Sequence, residues 1–333
     1  MGMKVKETMK VVLYSNDNLY DTGELQKFSG LTLMRILEKR GHEVYLFYDR
    51  DITFVNKKIE CIKLRKYNST PPVDEKGFFQ FDKCSSELYN IDIDLVLLKH
   101  DLPSKVVLAF LEEKLEKKGL PIINGTNVYT THNKLYCKKF SEHMPVTVFS
   151  NRIDELKYAV KTFGKAIIKP LDGGRGRGIH KVTLNDDLDN ILNQMTSAET
   201  VMIIAQEFLP EVKAGDKRIL TLISPVIIDF IPIATRFAPP GHFICNLSAC
   251  GKRKPNARIT SKEHKILEDI SETLLNDRVF IAGVDFIGEK MTEINTTNPG
   301  FSLTIKERAK LNFDKRLYHF LENFRPIGSQ VNR

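Results

Sequence analysis

The sequence predicts an α/β fold of two or three domains, and three observations predict it. A β–α–β pattern opens the chain: Lys10–Ser15 (KVVLYS) and residues 43–48 (EVYLFY) are short buried-type strands on either side of a helical pattern. Apolar runs of strand length continue to a late pair at residues 280–297, split by a glycine-containing break. At 333 residues, with 42% hydrophobic and 28% charged content, the chain has ordinary globular composition and length enough for a substantial core.

The elements follow in order. Over residues 25–40 the apolar positions Leu31, Leu33, Met34, Ile36 and Leu37 recur at helical spacing and stop at Gly41. A strand–helix–strand start of this kind implies a parallel sheet. The polar segment with Pro71-Pro72 and Gly77 reads as an irregular insertion. Residues 92–99 (DIDLVLLK) are a further buried strand, then a helix over 104–118 and a strand over 121–124 close an N-terminal unit of residues 1–125. Lys99, at the carboxyl edge of that sheet, stands where open α/β folds bind ligands. It is read either as a grip on a substrate carboxylate or as a solvated strand-end charge.

Residues 133–140 read as helical, followed by a strand near 146–149, a helix over 154–162 and a strand over 166–169. The run Pro170-Leu171-Asp172-Gly173-Gly174-Arg175-Gly176-Arg177-Gly178 comes next, then a β-like run over 179–184. It lacks the G-K-[ST] ending of a P-loop, and a strand follows it where a dinucleotide fingerprint needs a helix. A strand–glycine loop–strand is either a flap whose N–H groups close over phosphates or a loose turn. Lys169, immediately before it, favours the flap. Residues 201–208 form another apolar strand ending in Gln206, Glu207, Phe208 and Leu209, an edge able to offer backbone amides to a purine. A β-rich stretch over 219–237, broken at Pro225 and Pro232, ends at Arg236. A helix over 261–275 leads to the late hairpin, and residues 305–324 read as one terminal amphipathic helix.

Residues 280–299 (FIAGVDFIGEKMTEINTTNP) carry the sharpest chemical signal. Folding the hairpin about Glu289 sets Asp285 opposite Glu293, and Asn295, two residues on, shares their face. Two carboxylates and an amide oxygen form a hard-oxygen set suited to Mg²⁺, with phosphates and water completing an octahedron. The plainer reading is a hairpin whose polar face meets water. Asp285 weighs against it, because an unpaired carboxylate within a buried strand is costly.

Composition excludes several classes. No run reaches the roughly 18 apolar residues that a bilayer span needs, the start MGMKVKETMK has no apolar signal region, and Lys6 stands where a myristoylation motif needs Ser or Thr. A cytoplasmic protein is expected. The five cysteines (Cys61, Cys84, Cys137, Cys245, Cys250) form no C-x-x-C pair, and their odd number speaks against a disulfide framework. The net charge of +8 admits nucleic acid as a ligand, yet the basic residues are dispersed, and anionic small substrates account for them equally well.

Taken in order, Lys134, the Ile168-Lys169-Pro170-Leu171-Asp172-Gly173 loop, Ala205-Gln206-Glu207-Phe208-Leu209-Pro210, Gly215-Asp216-Lys217-Arg218, Asp285 and Thr292-Glu293-Ile294-Asn295 resemble the ATP-grasp superfamily, specifically its bacterial glutathione synthetase type. The resemblance runs from Val11 to about Pro299. It implies an ATP-grasp fold: an N-terminal parallel-sheet domain, a central lid subdomain over 126–205 and a C-terminal mixed-sheet domain over 206–333. By the same resemblance Lys134, Lys169 and Asp172 with Gly173, Gly174, Gly176 and Gly178 would engage ATP phosphates, Gln206–Leu209 the adenine, and Asp216 the ribose. Asp285, Glu293 and Asn295 would hold Mg²⁺, or Mn²⁺ in its place. Arg218 and Arg236 would stand near the reacting carboxylate, and Lys99, Asp101 and Asn246 on the substrate side. The implied reaction is peptide-type ligation: a carboxylate attacks the γ-phosphate of ATP, and an amine displaces phosphate from the acyl phosphate. A homo-oligomer, dimer or tetramer, acting on amino acid or peptide substrates is expected.

The chain departs from the family pattern on the substrate side. The family's R-G-N-L-A-A-G-G reads Ile244-Cys245-Asn246-Leu247-Ser248-Ala249-Cys250-Gly251, and its R-K-D-P-P reads Lys99-His100-Asp101-Leu102-Pro103. Losing a guanidinium weakens recognition of a carboxylate. A ligase joining another amino acid or peptide pair, a nucleotide-binding relative without ligation, and a basic nucleic-acid binder are the alternatives. The first two share the nucleotide site; the last predicts salt-steep binding to polynucleotide.

Overall fold

Strand alternation decides where each sheet of this chain puts its polar residues. The computed structural model describes residues 8–15, 29–55, 58–67, 86–87, 92–100, 104–115, 119–131, 133–172, 176–245, 251–255, 257–301 and 303–324. The insertion around Pro71-Pro72 lies outside them, as do Asp101, Gly173, Gly174 and Asn246.

The N-terminal elements are β1 (Lys10–Ser15), α1 (Ser29–Glu38), β2 (Glu43–Phe47), β3 (Ile52–Val55), β4 (Lys58–Lys66), β5 (Ser86–Glu87), β6 (Leu95–Lys99), α2 (Lys105–Lys114) and β7 (Ile122–Ile123). Their sheet runs β3-β4-β2-β1-β6-β7, with β5 on β4. β1, β2, β6 and β7 are parallel, as the β–α–β opening requires. The β3–β4 hairpin, which the sequence reading did not assign, adds antiparallel strands at one edge.

After α3 (Thr126–Thr131) and a 3-10 helix over Lys134–His143 come β8 (Thr147–Ser150), α4 (Ile153–Phe163), β9 (Ala166–Pro170), β10 (His180–Val182), α5 (Leu188–Met195) and β11 (Ile203–Glu207). They form an antiparallel sheet in the order β10-β9-β11-β8. Ala166, Ile168, Ile203 and Ala205 pack with Leu156, Val160 and Leu192 of α4 and α5. The alternate residues, Lys169, Ile204 and Phe149, stand in register with one another and take the opposite face. Because β11 runs through Glu207, the expected boundary at 205/206 cuts a strand; the passage to the next sheet falls beyond it.

β12 (Asp216–Ile223), β13 (Ile228–Phe237), β14 (Lys252–Pro255), α6 (Ser261–Asn276), β15 (Ile281–Ile287) and β16 (Lys290–Asn295) follow. Their sheet, β14-β13-β12-β15-β16, is antiparallel in every pairing, so the mixed character expected here belongs to the N-terminal sheet instead. Pro232 does not interrupt β13; the strand passes it beside a register shift at Arg218/Ile219, where a missing N–H is tolerated. Ala282, Val284 and Phe286 pack with α6 residues Ile266, Leu267 and Ile270. The single terminal helix that was expected is two, α7 (Ile305–Lys310) and α8 (Phe313–Asn323), broken where Asn312 takes a left-handed φ of 48°. Leu317, Phe320 and Leu321 of α8 join Leu33 and Leu37 of α1 and Leu220 and Leu222 of β12 in one core. That core ties the first sheet to the last.

Candidate active site

The late hairpin sets Asp285 opposite Glu293, as the sequence predicts, but by a different route. The turn is two residues, Gly288 and Glu289, both at positive φ (54° and 63°), the combination of a type I′ turn. A register shift next to Asp285 then restores the pairing. A Cβ on Gly288 would stand 2.6 Å from Glu211 Cγ, a second reason for glycine there.

Asp285 is 4% exposed and is not left unpaired. Arg218, its cross-strand neighbour on β12, grips it through two nitrogens, Nε to Oδ1 and a terminal nitrogen to Oδ2 at 2.7 Å. Arg236 adds a contact to Oδ1 at 3.0 Å. Gly283 makes this possible, since a Cβ there would stand 3.0–3.1 Å from the Arg218 side chain lying across it. Burial pushes the Asp285 carboxyl up, and the two guanidinium groups outweigh it and hold the group below the usual carboxylate range. Asn295 turns its amide nitrogen to Asp285 Oδ2 at 3.3 Å, so the amide meets the carboxylate as a donor. The arginines thus answer the cost of burying Asp285 that the sequence had raised.

Asp216 opens β12 and accepts from Arg236 at 2.5 Å through Oδ2. Its Oδ1, and Nε of Arg236, are buried without a protein partner among the described residues. Orphaned polar atoms at one spot call for a ligand or water to satisfy them. Burial, the largest effect, raises the Asp216 carboxyl to about 6, with Asp285 reinforcing it and Arg236 opposing. A folded-state value above the ordinary 3.8 means stability that is complete below 3.8 and lost as pH rises through about 6. Thermal melts of wild type and Asp216→Asn, compared from pH 4 to 7, are expected to show the wild-type advantage shrinking as pH rises; a constant difference would contradict the assignment.

Facing the hairpin is the open side of the four-stranded sheet. A cleft lies between them, lined by Lys169, Ile204, Gln206, Thr147 and Phe149 from the sheet and Thr292 and Glu293 from the hairpin. Lys134, Cys137 and Met144 close it. Lys169 is 8% exposed; its amine donates to Gln206 Oε1 at 3.0 Å and reaches the Thr292 carbonyl at 3.5 Å. Burial lowers its pKa, opposed chiefly by Glu293. Lys134 Nζ stands 4.0 Å from Glu293 Oε1. Cys137 accepts the Ile294 N–H at 3.3 Å, and burial raises its thiol to about 11, so it stays protonated and inert near neutral pH. Cys245, likewise buried and raised to about 11, is no more reactive.

Other predicted residues lie outside the cleft's lining. Gly176 and Gly178 keep positive φ (77° and 68°) in the turn between β9 and β10, and Asp172 is exposed at its start. The N–H groups of Glu207 and Phe208 are already spent on Val146 and Lys165 carbonyls, so they are not the purine contacts expected of them. The Leu209 N–H, where the ladder has ended, has no partner among the described residues. Lys99 departs furthest: it is 5% exposed, and its amine donates to the Pro299 carbonyl at 2.9 Å. It is a buried tether, neither a solvated charge nor an open grip on a carboxylate. Sequence reading missed Cys137, Met144, Phe149, Ile204 and Thr292; strand alternation from Lys169 and Gln206 through their neighbours was the signal available for Phe149 and Ile204.

Residues 133–310 match the prokaryotic glutathione synthetase ATP-grasp domain. The glutathione synthetase of Coxiella burnetii is 30% identical over 307 residues, covering 90% of this chain and 92% of that protein. The chain belongs to the ATP-grasp glutathione synthetase family. The Shigella flexneri glutathione synthetase is 29% identical over 283 residues, 83% of this chain and 86% of its own. Among solved structures, D-alanyl-alanine synthetase A from Vibrio cholerae aligns with a TM-score of 0.62 at 15% identity, over 96% of this chain and 98% of that one. The VanG D-Ala:D-Ser ligase from Enterococcus faecalis gives 0.57 at 16% identity, over 95% and 98%. At such identities these two establish the fold alone. With the family comes the reaction class: the protein is an ATP-dependent ligase forming carbon–nitrogen bonds. No helix among the described residues is long and apolar enough to cross a membrane.

Proposed function

We propose that the protein joins γ-glutamylcysteine to glycine, with ATP held in the cleft between the four-stranded sheet and the late hairpin. The cleft itself carries this reading: two lysines, Lys134 and Lys169, converge with Glu293 on one side of an apolar wall of Met144, Phe149 and Ile204. The wall suits a purine face, the lysines suit phosphates, and Gln206 in the lining and the Leu209 N–H, which has no partner among the described residues, suit the base edge. Asp216, with its unsatisfied Oδ1, suits ribose hydroxyls. Mg²⁺ fits the chemistry of Asp285, Glu293 and Asn295: the donors are hard, and Asp285 is held anionic. Those three residues would hold it, in place of contacts the arginines and the Asn295 amide now make. When bound, the metal would neutralise charge on the phosphates.

The chain's own residues account for the rest. Lys134 and Lys169 draw the phosphates toward the hairpin, while Arg218 and Arg236 are placed to offset the charge of a reacting carboxylate and of the tetrahedral species that follows. The loop of Asp172, Gly173, Gly174, Gly176 and Gly178 would close over the phosphates and keep water from the acyl phosphate. Asp101 and Asn246 are assigned to substrate recognition by resemblance to the family. Ile244, where the family has arginine, favours a second reading within the same chemistry, a different acyl donor. A cytoplasmic, homo-oligomeric enzyme completes the proposal. Incubating the protein with ATP, Mg²⁺, γ-glutamylcysteine and glycine is expected to yield tripeptide and ADP in equal amounts. Tripeptide absent with this pair but formed with another would move the assignment to the second reading, and ADP release with no dependence on any amine would sink both.

A further inference from the structure

The backbone leaving Asn295 is held, carbonyl after carbonyl, by side chains from the N-terminal part of the chain. Asn124, 2% exposed just after β7, spends its whole amide on the hairpin's open end. Its Nδ2 donates to the carbonyls of Ile281 and Thr296 at 2.5 Å each, and its Oδ1 accepts the N–H groups of Phe280 at 2.8 Å and Ile281 at 2.9 Å. Two donors and two lone pairs are all an asparagine has. One residue therefore grips both the start of β15 and the residue after β16. Next in line, Tyr129 of α3 places its hydroxyl 2.7 Å from the Thr297 carbonyl and 3.0 Å from that of Leu98, and accepts the His100 N–H at 3.3 Å. Its single proton goes to the nearer acceptor, Thr297. Lys99 then donates to the Pro299 carbonyl, its amine over the Phe301 ring at 5.3 Å from the centroid.

Residues 296–300 lie beyond the sheet ladder, so their carbonyls need such partners. Leu98 and Lys99 are the carboxyl end of β6, with His100 next after it, at the edge where open α/β sheets take their ligands. The same contacts therefore join that edge to the strand bearing Glu293 and Asn295. We propose that Tyr129, backed by Asn124 and Lys99, is a positioning residue: it fixes the metal-bearing strand against the carboxyl edge of the N-terminal sheet, so that the nucleotide-bound metal and a substrate at that edge meet in register. The inference rests on the reading of Glu293 and Asn295 as metal ligands. Its leverage is geometric, since a misplacement of about 1 Å costs on the order of a hundredfold in rate.

Asn124→Ala strands four buried hydrogen-bonding groups and risks the fold, so the tests are Tyr129→Phe and Lys99→Met, with Tyr158→Phe, an exposed tyrosine, as control. Binding of a fluorescent ADP derivative to the full chain is followed while Mn²⁺ is titrated, alongside thermal melts and steady-state kinetics. For Tyr129→Phe the Mn²⁺ concentration at half-maximal binding is expected to rise about tenfold, the worth of one good hydrogen bond. kcat should fall while the KM for ATP at saturating metal holds, and Lys99→Met should move the same way. An unchanged Mn²⁺ midpoint in both variants, with or without a lower melting temperature, would reduce these residues to a structural brace and overturn the proposal. Wild-type protein that binds the nucleotide with no response to Mn²⁺ would overturn the metal reading beneath it instead.

Discussion

Replacing Glu293 by Gln is expected to lower kcat at least about a hundredfold, the usual cost of losing one electrostatic element aimed at the reacting charge, while the melting temperature stays near that of wild type. The two halves of this prediction have separate grounds. Glu293 is 28% exposed on its side chain, and its ion pair with Lys134 is long at 4.0 Å. A pair that loose contributes little to folding. Its carboxylate nevertheless faces both lysines of the cleft and lies directly across the sheet from Asp285. Gln keeps the shape and removes the charge. Asp285 is the poorer residue for the experiment. Two arginines depend on it, and removing one partner of a buried ion pair costs about 3–5 kcal/mol, so a loss of activity there would be confounded with a loss of fold. Steady-state assays and melts on Glu293→Gln decide the matter; near-normal turnover would remove Glu293 from the metal set.

Lys169→Met is expected to raise the ATP concentration needed for half-maximal rate by about ten- to a hundredfold, the range lost with one charge-assisted contact. Stability should hold or improve at pH 7. Lys169 lies at the floor of the cleft with its ammonium desolvated, and burial lowers its pKa from 10.5. A lowered folded-state value means that the protonated amine costs stability at neutral pH, and that this cost fades as pH climbs toward 10.5. Met fills the same volume without the charge. The melting difference between variant and wild type should therefore favour the variant most near neutrality and narrow in alkali. An unchanged ATP requirement would show that Lys169 serves only to hold Gln206.

The hairpin shows how far a period of two can be pushed. Asp285 opposite Glu293, with Asn295 on the same face, follows from counting alone, and a type I′ turn plus a register shift leaves that count intact. Lys169 and Gln206 each follow a core residue, Ile168 and Ala205, on their strands, whereas Asp216 stands among half-buried polar neighbours and was reached only through the family resemblance. What the sequence could not show is which distant groups meet them. Nothing local to Asp285 names Arg218 and Arg236, which come from β12 and β13. Nothing local to Lys99 names Pro299, some 200 positions on, and so a tether was read as a substrate grip or a solvated charge. Asn124 and Tyr129 left no signal at all, for a lone asparagine and tyrosine after a short strand are ordinary until the carbonyls they hold are seen. The break between α7 and α8 was hidden for a local reason: Asn312 takes the left-handed conformation that asparagine tolerates, inside an otherwise helical pattern.

A crystal structure with ADP and Mn²⁺ tests the central claim most directly, because anomalous scattering locates the metal independently of the nucleotide. The account predicts Mn²⁺ bound by oxygens of Asp285, Glu293 and Asn295, phosphates beside Lys134 and Lys169, and adenine against Met144, Phe149 and Ile204. Metal density elsewhere, or Asp285 still closed by both arginines with nucleotide bound, would contradict it.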